Sequence, residues 1–262
     1  MVTRRAMLAV LGGILVSGLP AIGQDMLQHL DLNSPAMTSA EMTRADVEAA
    51  LAAGQRDFSR KRLSGLDLTR LDLSGAVFRA ALLNKTRLAD ANLDRAILDQ
   101  AWLLEADLSG ARLRGASLFA AQMQRAKLDG ADLSGARITA DMTGASLVGA
   151  SLAGANLGAD MRNQSMGLMR AVLKSANLSR VDARAADFSR VDLEFATLTT
   201  ADLTDASLRG ADLAGANLTG AILTGADLFG ADLASSRLIA PVGLASAKNL
   251  DRAINLDRAL RE

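Results

Sequence analysis

The feature that most constrains this chain is a beat of five. In the stretch ADLSGARLRGASLFA, the pairs Ala106/Leu108, Ala111/Leu113 and Ala116/Leu118 recur every fifth residue. An amphipathic helix needs apolar positions at a period near 3.6 and a half-buried strand needs 2. A period of five scatters Leu around a helix, so neither template fits. Taking the Leu-like residue of each block as its centre, centres run from Phe58 to Ile138 and from Leu173 to Leu238, with Ala183 the one small centre. Between these runs the beat slips. "ARIT" and "ANLG" each lose one residue and "ADMRNQS" carries two extra, which predicts centres at Met142, Leu147, Leu152, Leu157, Met161 and Leu168 within a slip near 139–168.

A chain that turns a corner after each block closes a square coil every four blocks, about twenty residues, and successive coils stack at about 4.8 Å. The centre and the Ala two before it then point inward and the other three residues outward. Composition agrees: half of the residues are hydrophobic but only 3% are aromatic, as thin Ala/Leu layers require. Gly65, Gly110, Gly130, Gly210 and Gly220 end blocks, where a turn needs a permissive backbone. A single coil cannot bury its own faces, so neighbours must cover it and the ends need caps.

The block reads A-[DN]-L-x-x at Ala91-Asn92-Leu93, Ala106-Asp107-Leu108, Ala131-Asp132-Leu133, Ala176-Asn177-Leu178, Ala201-Asp202-Leu203, Ala211-Asp212-Leu213 and Ala226-Asp227-Leu228. Over residues 56–240 the chain therefore resembles the pentapeptide-repeat family. The resemblance implies an all-β fold, a right-handed quadrilateral β-helix. It also implies a scaffold without an assigned chemistry and a possible homodimer through a capped end. Residues 24–55 read as a linker and an N-terminal capping helix over 44–53: Thr43 and Asp46 form a capping box, Val47, Ala50 and Leu51 share a face, and Gly54 suits the C-cap. Residues 241–262 break the beat at Pro241. The helical spacing of Leu250, Ala253, Ile254, Leu256 and Leu260 predicts a capping helix over 247–260.

The first 23 residues stand apart. Arg4 and Arg5 precede an apolar run from Ala6 to Leu19, and Ala21-Ile22-Gly23 offers small residues at a cleavage site. This is the pattern of a cleavable export signal, of Sec or twin-arginine type, with cleavage after Gly23. It predicts a periplasmic chain without a stable membrane span after cleavage.

Balanced charge, 29 basic against 29 acidic residues, argues against a nucleic-acid partner. With no Cys or Tyr and a single His, His29 in the linker, the chain lacks most catalytic vocabulary, and no cofactor is expected. The sequence thus predicts a non-enzymatic scaffold whose partner is another protein. A twenty-residue coil also predicts which side chains stack. Asp67, Arg87, Asp107 and Lys127 form an alternating-charge ladder. Leu82, Trp102 and Gln122, with Leu104 beside them and Ile97 on the preceding face, form a candidate partner patch. The alternative is that the N-terminal helix or linker folds back over that patch. Asp192, Asp212 and Asp232 form an acidic column in a locally acidic third of the chain. Two other functions remain open. That third suits a DNA-mimicking gyrase-binding protein, which the resemblance also includes. The Met142, Met161, Met166 and Met169 group suits a periplasmic Cu(I) site, against the simpler reading that flexible Met fills an irregular core.

Overall fold

The computed structural model describes residues 34–159 and 169–261. The predicted centres Met161 and Leu168, Met166, the linker His29 and the export signal lie outside them. Residues from Leu32 onward form one compact unit.

Parallel bridges join the residue before each centre to its counterpart in the next coil, twenty positions on outside the slip and the last coil, in four ladders. Face 1 carries Asp57, Val77, Ile97, Ser117 and Arg137; face 2 carries Arg62, Leu82, Trp102 and Gln122. Face 3 carries Asp67, Arg87, Asp107 and Lys127; face 4 carries Asp72, Asn92, Arg112 and Asp132. Four blocks thus make one coil. The centres and the Ala residues two before them form a single buried core from Phe58 to Leu238. Ala183 is buried as a centre, and Phe58 stacks on Phe78 at 5.4 Å where the core begins.

The fivefold block follows from backbone hydrogen-bond accounting. Around Leu73, its amide reaches Asn92 O at 2.7 Å and the amide of Gly75 reaches Asp94 O at 2.8 Å, both one coil on. The amide of Ala76 closes the turn on Leu73 O at 3.0 Å, and that of Val77 reaches Arg56 O, one coil back, at 2.8 Å. Four of the five amides are satisfied by backbone. The fifth, on the residue after the centre, is left over. The Asp or Asn before the centre takes it: Asp72 Oδ1 accepts from Ser74 N at 3.1 Å, and Asp107 Oδ1 from Ser109 N at 3.0 Å. The motif A-[DN]-L is therefore a small inward residue, an acceptor for the orphan amide, and a core residue.

The last residue of a regular block is left-handed. Gly65 and Gly110 have φ of +73° and +65°. So do many non-glycines, among them Arg70, Glu105, Phe195 and β-branched Thr200, with φ between 55° and 61°. The ladder holds these residues where an isolated chain disfavours them.

The slip differs from the sequence count. Arg137 is followed four residues later by Asp141, so one residue is lost there as expected. The second loss, expected at "ANLG", depends on the centre at Met161 and lies outside the described residues. The coil containing Asp141, Ser146, Ser151 and Asn156 is already complete, and Asp141 bridges directly to Val172, thirty-one positions on rather than twenty. The spacing between these rungs is eleven residues longer than usual, and the amide of Ala171 closes the corner on Leu157 O at 3.3 Å. The predicted centres Met161 and Leu168 lie outside the described residues, between the rungs of Asn156 and Val172.

At the N-terminal end, α1 (Pro35–Thr38) and α2 (Arg44–Ala52) lie against the first coils. Thr43 and Asp46 form a reciprocal capping box, Val47 is fully buried, and Arg44 donates to the carbonyls of Asp67 and Thr69. The C-terminal end departs from the predicted helix. Three 3-10 turns (Leu244–Ser246, Leu250–Arg252 and Leu256–Arg258) alternate with bridges at Val242, Lys248, Ile254 and Leu260. The chain lays one further coil with six-residue sides. Gly243, Asn249 and Asn255 supply the left-handed residue that opens each turn, and Leu244, Ala247, Leu250, Ala253, Leu256 and Ala259 pack on the core. A continuous helix would break this ladder. The apolar residues read as one helical face divide accordingly: Leu250 and Leu256 face the core, while Ile254 and Leu260 are more than half exposed.

Candidate functional site

Face 2 gathers both groups of candidate residues. Because one residue is lost and eleven are gained at the slip, the ladder runs Leu82, Trp102, Gln122, Asp141, Val172, Asp192, Asp212, Asp232, Ile254. The apolar patch and the acidic column are the two halves of one strip. Ile97 lies on face 1, bridged to Val77 and Ser117, around the corner from Trp102.

The apolar half is half-buried rather than open: Leu82, Trp102, Leu104 and Ile97 are all of intermediate exposure. The N-terminal segment reaches this face. Met37 of α1 is buried, and its carbonyl accepts a hydrogen bond from Asn84 Nδ2 at 3.2 Å. Asn84 Oδ1 in turn accepts from the Leu104 amide at 3.1 Å. Asn84 thus serves an amide that its own block cannot serve, because Trp102 stands where an Asp or Asn would. The same substitution of acceptor recurs elsewhere. Asp94, Asp99 and Asp129 accept from the amides of Arg114, Phe119 and Val148 one coil on, above Arg112, Ser117 and Ser146. Residues 35–42 fold back beside the patch without burying Trp102.

The acidic half is made of turn acceptors. Asp192, Asp212 and Asp232 each accept from the amide two residues on, at 3.1, 3.1 and 2.9 Å. The slip also brings two cations beneath the column. Arg170 stands 3.6 Å from Asp192, and Lys174 pairs with Glu194. The Glu194 hydrogen bond, then the nearby Asp192 and Asp212 charges, raise the Lys174 ammonium above its ordinary pKa despite partial desolvation. Asp232 accepts a second bond from Asn255 Nδ2 at 2.8 Å. No group of three or more carboxylates and imidazoles fit to hold a metal occurs among the described residues. Met142 is a fully buried centre and Met169 is half-buried. That buried position suits the core-filling role for Met142.

The remaining surface is laced with ion pairs between coils. Arg87 stands 3.3 Å from Asp67 on face 3, and Glu105 lies between Lys85 at 3.9 Å and Arg125 at 3.4 Å. The tightest cluster is on face 4, where Asp94 meets both Arg114 and Arg112 at 2.6 Å. The Arg114 hydrogen bond, with help from Arg112, pulls the Asp94 carboxyl down to about 2 against the opposing effect of burial. The sequence pointed to neither Asn84 nor Asp94. The only available signal was a polar residue twenty positions before a block that lacks its own Asp or Asn.

Chemically, this strip is suited to binding: Trp102 and Leu82 offer apolar area on the same ladder as a carboxylate row. No helix among the described residues is long and apolar enough to cross a membrane.

Comparison with known proteins agrees with the repeat. The family model for pentapeptide repeats matches in eight copies over residues 62–100, 103–136, 168–205 and 201–238, more than half of the chain. Among solved structures, HetL from the cyanobacterium Nostoc sp. strain PCC 7120, a pentapeptide repeat protein involved in heterocyst differentiation regulation, is 33% identical. The match covers 84% of this chain and 95% of HetL with a TM-score of 0.45. QnrB1, a plasmid-mediated fluoroquinolone resistance protein, is 19% identical, with 79% and 87% covered and a TM-score of 0.45. A pentapeptide repeat protein from the Arabidopsis thaliana thylakoid lumen is 30% identical, with 46% and 66% covered and a TM-score of 0.20. No curated protein matches.

Proposed function

The chain belongs to the pentapeptide-repeat family, and on that premise we propose that it is an exported, non-catalytic scaffold that presents face 2 to a protein partner. The observation that carries this reading is the continuity of the strip. Half-buried Leu82, Trp102 and Leu104 lead along one ladder into Asp192, Asp212 and Asp232. A partner with an apolar anchor and a basic flank would match both halves, since aromatic anchors dominate binding energy and complementary charge sets orientation. Ile97 would border this contact from the neighbouring face. The charge pattern elsewhere supports a protein rather than nucleic acid as partner, because exposed Arg and Lys side chains are tied into ladders with carboxylates.

Export rests on the pattern of Arg4, Arg5, the apolar run and the small residues before Gln24. The test is to fractionate expressing cells and determine the mature N-terminus by mass spectrometry. At the same time, a photo-crosslinking residue would be placed at Trp102 and, as a control, at Ser151 on face 4. A chain beginning at Gln24 in the periplasm, with a crosslinked protein specific to position 102, is expected. An intact chain beginning at Met1 in the cytoplasm would overturn export and favour the gyrase-binding alternative, for which a supercoiling assay is the next measurement.

A further inference from the structure

The N-terminal segment is held to the solenoid at two strengths. Helix α2 is locked: Val47 is fully buried, and Arg44 donates to the carbonyls of Asp67 and Thr69. Residues 34–42, which precede it, touch the coils at few points. The Met37 side chain is buried, its carbonyl accepts from Asn84 Nδ2, and the Glu41 amide donates to Arg62 O at 2.9 Å. Met42, at the junction with α2, packs on the core. The Glu41 carboxylate stands 3.2 Å from Lys61 Nζ and 3.3 Å from Arg62 Nε, and all three side chains are at least 30% exposed. Ion pairs this open to water hold weakly.

This strap covers the corner between faces 2 and 3 at the first two coils. Ser64 and Asn84, twenty positions apart, each follow a centre there and are 3% and 7% exposed. Their counterparts one and two coils on, Leu104 and Gln124, are half-buried, as are Ser59, Thr69 and Ser74 at the other corners of the first coil. The cover fits incompletely. The Ser64 hydroxyl is buried and has no hydrogen-bond partner, a costly state for a polar group shielded from water. The strap thus supplies an apolar side chain, a carbonyl for Asn84 and, four residues after Met37, a carboxylate for Lys61 and Arg62, but nothing for Ser64. The next cation along this corner, Lys85, is engaged with Glu105. With the strap lifted, face 2 presents Arg62 at the foot of the ladder that continues to Leu82 and Trp102.

We propose that residues 34–42 are a built-in pseudo-ligand, holding the place of a partner protein's segment at the corner between faces 2 and 3. The displacing segment carries an apolar residue for the Met37 position and, four positions later, an acidic residue for Lys61 and Arg62. It also hydrogen-bonds Ser64, which gives it an advantage over the strap. The proposal rests on the reading of face 2 as a partner surface and extends that surface toward the N-terminal end by two coils. Helix α2 stays in place, with the junction before Thr43 as the hinge.

Fluorescence anisotropy of a dye-labelled peptide copying Ser34–Thr43 tests it, with the full chain and with its opened form Met37→Ser/Glu41→Gln as receptors. A tethered strap competes with free peptide at a high effective concentration, so the opened form should bind the peptide at least about tenfold more tightly than the wild type. The same peptide carrying Glu41→Lys should bind the opened form at least about tenfold more weakly than the native peptide, and adding Lys61→Glu/Arg62→Glu to the opened form should restore its binding. The substituted strap lies outside the coils, and Lys61 and Arg62 are exposed, so circular dichroism of each variant should match the wild type. Amide exchange of the wild type needs no variant: the Glu41 amide, bonded to Arg62 O, should exchange faster than the Val47 amide, bonded to Thr43 O. A peptide that binds both forms alike or neither, a charge swap without recovery, or a Glu41 amide as slow as that of Val47 overturns the proposal. No partner enters these assays, so they fail separately from the face 2 reading: a crosslink at position 102 without any difference between wild type and opened form upholds that reading and removes the strap from it.

Discussion

Asn84 performs two tasks with one amide group, and the two can be separated. Its Oδ1 accepts from the Leu104 amide and its Nδ2 donates to the Met37 carbonyl, both within a side chain only 7% exposed. Asn84→Ala leaves one donor and one acceptor without a partner. Each orphaned group costs about 1–3 kcal/mol when shielded from water. Leu104 is half-buried and Met37 buried, so the total falls near 2–3 kcal/mol at the lower part of that range. Asn84→Asp keeps the acceptor and removes the donor. It should retain the Leu104 bond while setting a carboxylate against the Met37 carbonyl. Amide hydrogen exchange reads each half separately. In Asn84→Asp the Leu104 amide stays slow while α1 exchanges faster; in Asn84→Ala both accelerate. If the Leu104 amide loosened equally in both variants, or if Asn84→Ala unfolded at the same denaturant midpoint as the wild type, the substitute-acceptor account would be wrong.

The remaining predictions concern other parts of the solenoid. Thr200 is a β-branched residue at φ 55°, so Thr200→Gly should raise stability by about 1 kcal/mol in urea unfolding. Gly215→Ala should lower the melting temperature, because its new Cβ would fall 2.5 Å from Cδ1 of the Phe195 ring. Leu108→Asp, which buries a charge at a fully enclosed centre, should abolish folding as read by circular dichroism, whereas Asp107→Asn keeps the acceptor for Ser109 and should be near neutral. Asp94 has a folded pKa of about 2, below the ordinary 3.8, so its contribution is fully present above about pH 4 and disappears as pH falls toward 2. That contribution is at most about 2 kcal/mol, and in Asp94→Asn the loss of stability over this window should be correspondingly shallower.

The beat of five was legible because it is enforced at every level. An inward Leu, a small inward Ala, a turn acceptor and a left-handed block end leave the same mark in each block. The slip was harder to read for an arithmetic reason. One residue lost before Asp141 and eleven inserted after Leu157 sum to two whole blocks, so the register after Leu173 carries no trace of either. The intervening "ADMRNQS" could be counted as a distorted block because Met and Leu also suit a centre. The C-terminus misled for a different reason. A six-residue side with a 3-10 turn spaces its Leu and Ala at intervals of three, as in Leu250/Ala253 and Leu256/Ala259, and a helix does so too. Asn249 and Asn255, both left-handed, were the discriminating residues, since two such positions interrupt any helix. The strip on face 2 was visible as two columns but not as one, because joining them requires the true length of the insertion. Asn84 and Asp94 could not be found without knowing that each block leaves one amide to be claimed.

The corner between Leu157 and Ala171 has a practical consequence. The hydrogen bond that closes it is the same bond that closes an ordinary two-residue turn, so sequence added there gains contour length and no height. Such a corner works as a side port. A tag, an epitope or a small folded module inserted at that point would be carried at a fixed level along the axis, on the edge between faces 1 and 2, with the coils above and below keeping their pairing.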